Sequence, residues 1–478
     1  MVKNLESPRL SNIGTTTPRN TLDRLSPTNG DLIYKTPMSG IEEVSLLFQN
    51  IHAQEFKFQD LGVVKAAQIL VSVCQELKQR KDEINHCVFL ETAKPENLIA
   101  GEFDAAINFM TALSGLSQFI SGKVIPSKNP KKTVYTKNYP YGVSALITSH
   151  NTPLPNYAWK LAPSFLALNS SVLKPSEFTS LSAQKFVESF LAAGAPEYMV
   201  NLLHGGPETV SSLISFKPEL ISFTGSFEVG MKVKAMTNNY NYSPKLILEM
   251  GGSNPIIVCK SANLELAADA IVESAFSNSG QRCAAGSRLI AHNQVLKELL
   301  ELVRIKTQEL TLHGGNELFS GGLVNQQAKE RHQEFIRKVS AASLEYEEFG
   351  AESEKKGVFV SPTIIKLISG VELNLPEEVF SPILRVVEFE TYAEALELAN
   401  ASVFGLTAAV WTNDINEADH FIRYIKSGIV NINGPTHGAE FQFPFGGQKN
   451  SGNGAKEVGL NSLSEYSFEK LVSFTNYA

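Results

Sequence analysis

The chain has 478 residues, which at about 150 residues per domain predicts roughly two to three domains. Its hydrophobic content of 43% and charged content of 19% are ordinary globular usage and exclude a mainly disordered chain. A net charge of −7 offers no basic stripe for nucleic acid, and charges interrupt every apolar run before the roughly 18 residues a membrane helix needs.

The first 22 residues are rich in Ser, Thr, Pro and Asn and are expected to be loosely docked. Pro8 and Pro18 interrupt the amphipathic presequence that Arg9 and Arg19 would otherwise suggest. Apolar residues at Val63, Ala67, Leu70, Val71, Cys74 and Leu77 predict one long helix over 62–90, and a second helix covers Glu96–Leu116. A Lys-rich, strand-like stretch follows at Lys123–Lys137. From 142 to 250 the pattern alternates between strands and helices. The strands are Val143–Thr148, Ser170–Lys174, Met199–His204, Leu220–Thr224 and Leu246–Glu249, and helices such as Tyr157–Leu168, Leu181–Ala193 and Phe227–Met236 separate them. Such alternation predicts a doubly wound parallel sheet, which binds ligands beyond the carboxyl ends of its strands. A second α/β region runs to about 432, opening with a helix at 263–277, and Glu465–Asn476 alternates like a strand. The four cysteines, Cys74, Cys87, Cys259 and Cys283, lack metal-ligand spacing and fit a reducing, cytoplasmic setting.

The strand ends carry glycines or polar groups: Thr148 and Asn151, Lys174 to Glu177, Gly205-Gly206, Gly225-Ser226, and Glu249-Met250-Gly251-Gly252. Gly225 to Gly230, with Val229 between, is either a phosphate contact at a helix start or a tight turn. Lys174 and Glu177 suit vicinal ribose hydroxyls, or form an exposed polar loop; a carboxylate there favours NAD over NADP. Cys283 stands in a polar, Gly-containing loop beside Arg282, where a thiolate could be supported, although a lone cysteine is usually a small buried apolar residue. Glu249 suits a general base or a capping carboxylate. Asn151 suits an oxyanion donor or an Asx-turn before Pro153.

From about residue 24 onward the chain resembles the aldehyde dehydrogenase superfamily. The likeness rests on seven segments in family order: Asn151-Thr152-Pro153-Leu154, Lys174-Pro175-Ser176-Glu177, Phe223-Thr224-Gly225-Ser226, Glu249-Met250-Gly251-Gly252, Gly280-Gln281-Arg282-Cys283, Glu377 to Pro382, and Pro444 to Gly447 with Ser451-Gly452. The resemblance implies two Rossmann-like domains, NAD-binding over 1–123 and 141–250 and catalytic over 251–445. It also implies an oligomerisation arm of strands within 124–140 and 463–478 that builds a homodimer or homotetramer. Cys283 would attack the aldehyde to give a thiohemiacetal and then a thioester, with Asn151 and the Cys283 amide holding the oxyanion. Glu249 would activate water, and Lys160 and Glu457 would form a proton path. Thr148, His150, Lys174, Glu177, Gly206, Gly225, Ser226, Val229, Met250, Glu378 and Phe380 would line the site for NAD, with NADP the alternative. Glu378 would take the nicotinamide ribose and Phe380 the ring.

Several positions depart from the family pattern: His150 where Trp or Phe is common, Ser381 for Gly, Ser253 for Lys, and Ala93 for Gly. The family's N-terminal strand before residue 24 is not recognisable. The loop from Asn433 to Phe443 contains no Arg or Lys, so the substrate is expected to be a neutral or aromatic aldehyde, with a carboxylate-bearing semialdehyde as the alternative. Glu249 argues against a CoA-acylating enzyme, which tends to lack the base.

Overall fold

The computed structural model describes residues 20–54, 60–117, 122–311, 319, 322–350, 357–367, 378–438, 440–459 and 461–476. The first 19 residues, Glu377 and Ala439 lie outside these.

The predicted parallel sheet is present, with five strands in the order Val200–Leu202, Ser170–Lys174, Val143–Ile147, Leu220–Thr224, Lys245–Glu249. Every residue of Val143–Ile147 and Ser170–Lys174 is buried, as expected for central strands covered by helices on both faces. The chain leaves Val143–Ile147 to one side and returns on the other at Leu220–Thr224, pairing Ser144 with Ser171 and with Leu220. The resulting switch point opens a crevice at the strand ends that carry Asn151 and Thr224.

A second sheet has seven strands, ordered Glu345–Glu348, Thr363–Lys366, Ile383–Phe389, Arg288–His292, Pro255–Val258, Thr407–Trp411, Ile429–Ile432. All its pairings are parallel except that of the edge strand Glu345–Glu348. The α/β doubly wound reading therefore holds for both regions. One apolar cluster joins the helices between 41 and 116 to the first sheet, and separate clusters pack on the two faces of the second.

Three local differences have physical causes. The expected helix over 62–90 is two helices, Val63–Gln79 and Lys81–Thr92, separated at Arg80 (φ −103°, ψ 14°). There the Arg80 guanidinium turns to Glu83 and Glu188, at 2.9 Å each. Val63 and Val71, counted on the apolar face, are instead exposed. Order begins before residue 22, because Thr21–Leu25 pairs antiparallel with Leu32–Pro37.

The Lys-rich stretch contributes Val124–Ile125 and Lys132–Pro140, and the latter pairs with Ser467–Thr475 from Pro140↔Ser467 to Lys132↔Thr475. The late glycine block lies against the end of the first sheet: Gly452 bridges Glu249, and the Asn453 side chain bonds Leu248 N and Leu246 O. Among the described residues no helix is long and apolar enough to cross a membrane.

Candidate active site

Two polar strand ends of the first sheet and one turn leading into the second meet at the crevice. Cys283 follows a turn in which Asn278 (φ 53°), Ser279 (φ 55°) and Gly280 (φ 68°) are all left-handed. The Asn278 side chain ties this turn to Gln281 O at 3.1 Å and to Asn151 O at 3.2 Å. Asn254 donates to the Cys283 carbonyl at 2.8 Å, and Gly252 packs so closely that a Cβ there would lie 2.7 Å from that carbonyl. The cysteine and glutamate segments are thus locked together.

Cys283 is partly exposed, unlike the buried Cys74, Cys87 and Cys259, and all four are free thiols. Burial, then the charges of Glu249 and Glu378, push its thiol up to about 12. The expected support of a thiolate by Arg282 is therefore not the dominant effect. Arg282 lies within the charge field of Glu102, Glu273, Cys283 and Lys94, and its charge helps lower His437 to about 4. Lys94 donates to Asn151 O at 2.5 Å, and Arg282 also lines a small cavity with Glu378, Phe380 and Arg385.

Asn151 is buried, and Ser149 Oγ donates to its Oδ1 at 2.6 Å. That bond leaves Nδ2 as the outward donor, the orientation an oxyanion requires. Glu249 ends its strand fully buried, and neither carboxylate oxygen makes a hydrogen bond of ordinary geometry among the described residues. Burial and the Glu457 charge raise it well above the usual carboxylate range, against Lys160 and Lys456. Beneath it Lys160 and Glu457, both buried, form an ion pair. Ser222 Oγ is 2.9 Å from Lys160 Nζ and donates to Glu457 at 3.1 Å; Thr224 reaches the other Glu457 oxygen at 3.3 Å and Tyr466 bonds Ser222 at 2.9 Å.

Most of the remaining predicted residues stand just beyond the carboxyl ends of the strands of the first sheet. Lys174 is buried, and its closest ionic partner, Glu177, stands 3.9 Å away; burial lowers the Lys174 ammonium against the pull of Glu177. The buried Thr148 Oγ1 and His150 Nε2 have no partner among the described residues. Gly206 begins the helix Pro207–Ser215. Ser226 Oγ caps the helix Phe227–Asn239 by accepting from Val229 N at 3.4 Å, so its hydroxyl already serves the helix start. Gly225 and Gly230 let backbone pack on Phe223 and on Met250, whose sulfur a Cβ at Gly230 would meet at 2.5 Å. The close-packing role of these glycines is thus explicit.

Glu378 accepts from Gly252 N at 3.1 Å, and burial raises it to about 7 while Gly252 and Arg331 pull down. A Cβ on Gly251 would fall 2.0 Å from its carboxylate, so a side chain there would displace the Glu378 carboxylate. Phe380 holds φ +58°, a strain of about 1–3 kcal/mol for a bulky residue, of the kind that concentrates at functional sites. Its ring meets the edge of His150 at 6.0 Å, and His150 meets Phe178 at 5.8 Å. Sequence reasoning overlooked Lys94, Ser149 and Arg331. Only Lys94 carried a signal, a lysine before Pro95 at a helix end.

This pairing of two doubly wound units around a partly exposed thiol and a buried carboxylate and amide defines an α/β enzyme with its site at a strand-end crevice. The chain belongs to the aldehyde dehydrogenase family, whose profile matches residues 15–472, and is accordingly an oxidoreductase acting on aldehydes. It is 35% identical over 414 residues to 2,5-dioxopentanoate dehydrogenase of Saccharolobus solfataricus, covering 85% of this chain and 86% of that one. It is 33% identical to betaine aldehyde dehydrogenase of Bacillus subtilis, covering 87% and 86%. Betaine aldehyde dehydrogenase of Staphylococcus aureus, solved in complex with NAD+, superposes with a TM-score of 0.91 at 26% identity, covering 99% of this chain and 95% of that one.

Proposed function

We propose that the protein oxidises an aldehyde to its carboxylic acid with NAD+, using Cys283 as nucleophile and Glu249 as base. The observation that carries this is the meeting of the two segments: Gly252, three residues after Glu249, packs against the Cys283 carbonyl, which Asn254 also holds, and the Glu249 charge is among the groups that raise the Cys283 thiol. Cys283 Sγ attacks the aldehyde carbon, and the Asn151 amide with the Cys283 backbone N–H takes the oxyanion; such a donor is worth about 2.7–4 kcal/mol. Glu249, its proton affinity raised by burial and the Glu457 charge, takes a proton from the water that releases the acid. The Lys160–Glu457 pair lies where it can pass that proton on through Ser222 and Thr224.

The residues fit NAD+. Lys174 and Glu177 suit the adenosine ribose, and the Glu177 carboxylate disfavours a 2′-phosphate. The unpartnered Thr148 Oγ1 and His150 Nε2, Gly206, the Gly225–Val229 helix start and Met250 line the path between them and the nucleophile. Glu378 would take the nicotinamide ribose and Phe380 the ring. When bound, NAD+ supplies the hydride acceptor. On this reading 1–123 with 141–250 form the cofactor domain and 251–445 the catalytic domain.

The substrate side favours an aldehyde that also carries a carboxylate. The Arg282 guanidinium, next to Cys283 in the chain, makes no hydrogen bond or ion pair of ordinary geometry among the described residues, and its Nε is buried. A planar cation left open in this way matches a carboxylate fork. The relative from Saccharolobus solfataricus and an alpha-ketoglutaric semialdehyde dehydrogenase of Bacillus subtilis, 29% identical, are named for such substrates.

One experiment tests both levels: NADH formation across neutral, aromatic and carboxylate-bearing aldehydes. Cys283→Ala is expected to abolish it. Glu249→Gln is expected to retain a first-turnover burst and lose steady turnover. Arg282→Met is expected to raise KM for acid-bearing aldehydes alone. Full turnover by Cys283→Ala would refute the nucleophile, and equal KM changes across the panel would refute the role of Arg282.

The arm of Val124–Ile125, Lys132–Pro140 and Ser467–Thr475 exposes Val124, Leu471 and Phe474, which supports pairing of subunits into a homodimer or homotetramer. Light scattering that returned the 52.3 kDa of a single chain would contradict it. Four free thiols support a reducing, cytoplasmic location.

A further inference from the structure

We propose that the amino-terminal hairpin, Thr21–Leu25 with Leu32–Pro37, is the positioning device that holds the ribose segment and the nucleophile loop in register, with Arg24 as its central positioning residue. The proposal rests on the reading that Lys174 and Glu177 hold the ribose of NAD+.

Arg24 is 4% exposed, and a guanidinium keeps its charge even when buried. A buried charge must be satisfied, yet among the described residues Arg24 forms no ion pair. It spends its fork on backbone and ring: Nη2 donates to Glu91 O, Nη1 and Nη2 reach Val324 O at 3.3 and 3.2 Å, and the cation lies over the Phe178 ring at 5.2 Å. Those three partners belong to segments far apart in the chain, and two lead directly into the site.

The first route runs to the nucleophile. Val324 N donates to Gln281 Oε1 at 3.1 Å, and Gln281 Nε2 donates to Gly322 O at 3.0 Å. Gln281 is two residues before Cys283 and closes the left-handed turn. The second route runs to the cofactor side. Phe178 follows Glu177 directly, and its ring meets His150, which in turn meets Phe380.

The second strand of the hairpin supports the same place. Tyr34 donates to the Glu91 carboxylate, which also accepts from Leu181 N at 2.7 Å and Ser182 N at 3.2 Å. These amides open the helix Ser180–Ala192, just beyond Glu177, where a carboxylate suits the helix dipole. Apolar packing would stabilise such a junction at least as well as a buried cation. What the planar fork adds is fixed direction, so that the ribose segment and the nucleophile loop keep one separation.

The test is NAD+ binding to the full-length protein by calorimetry, without aldehyde, followed by steady-state kinetics. Arg24→Met is expected to raise the NAD+ Kd about tenfold, to raise KM for NAD+ similarly, and to leave the aldehyde KM within about twofold. Phe178→Leu, which removes the ring but none of the carbonyl bonds, is expected to raise the NAD+ Kd in the same direction and decides the matter if Arg24→Met fails to fold. Wild-type Kd in both folded variants would overturn the proposal. Glu177→Gln separates the two levels. If it weakens NAD+ while Arg24→Met and Phe178→Leu do not, only the hairpin proposal falls. If it leaves NAD+ binding and the preference over NADP untouched, the ribose reading itself falls.

Discussion

Asn151, the proposed oxyanion donor, shows how far a side chain's role depends on its neighbours. Its amide is turned by Ser149, and its carbonyl is held by Lys94 and Asn278. Removing the outward Nδ2 takes away a preorganised donor, so Asn151→Ala is expected to lower kcat roughly 10²–10³-fold with little change in KM for NAD+. Ser149→Ala, which only loosens the amide, should cost less. Stopped-flow measurement of the first turnover checks both, and an unchanged rate in Asn151→Ala would remove the oxyanion role. Asn151, Glu249 and Cys283 were legible because each ends a short motif at a strand or turn. Ser149 and Lys94 were not, because a hydroxyl or ammonium that works by holding another residue carries no motif of its own. His150 departs from the family's aromatic residue, yet it keeps ring contacts to Phe178 and Phe380, which accounts for its being tolerated.

At the scale of elements, the turn before Cys283 carries the most strain. Asn278 and Ser279 are both left-handed, a conformation that costs a non-glycine residue about 1–2 kcal/mol. Gly280 completes the turn at φ +68°, where a Cβ would lie 2.4 Å from Ser381 O. That atom is backbone of the segment carrying Glu378 and Phe380, so it cannot simply rotate away. Gly280→Ala is therefore expected to destabilise the protein by about 1–3 kcal/mol and to misplace the nucleophile against the nicotinamide side. A lower melting temperature together with loss of turnover is the expected result, and a wild-type melting curve would show that the turn relaxes freely. Strands and helices around this turn followed from periodicity. The turn itself did not, because Asn-Ser in the left-handed region looks like any polar loop, and the break at Arg80 was hidden by a continuous apolar stripe.

Over the whole molecule the missing information is long-range. Arg24 reaches Val324, Lys160 reaches Glu457 and Tyr466 reaches Ser222 across hundreds of residues, and no local pattern announces such pairs. Burial on this scale also sets the response to acid, with two opposing signs. His150, lowered to about 3 by burial and by the charges of Arg24, Lys94 and Arg331, and His332 and His437, each lowered to about 4 mainly by burial, stay neutral in the folded protein. In the unfolded chain a histidine takes up a proton near about pH 6.5, so these three lose stabilising effect as pH falls from about 6.5 toward 4. Glu378, raised to about 7, works the other way, because the folded protein binds its proton first and gains stability as pH falls below 7. The net slope is thus a difference, and a single variant isolates one side of it. His332 is 3% exposed and bonds Ser381 Oγ at 3.1 Å, so His332→Gln removes the acid-sensitive group while keeping a polar partner for Ser381. The variant is expected to melt below wild type at pH 7, and the gap is expected to narrow at pH 5 as the wild type alone loses its histidine contribution. A gap that stayed constant between the two pH values would mean that His332 is protonated equally in the folded and unfolded states, and that its burial does not shape the acid response.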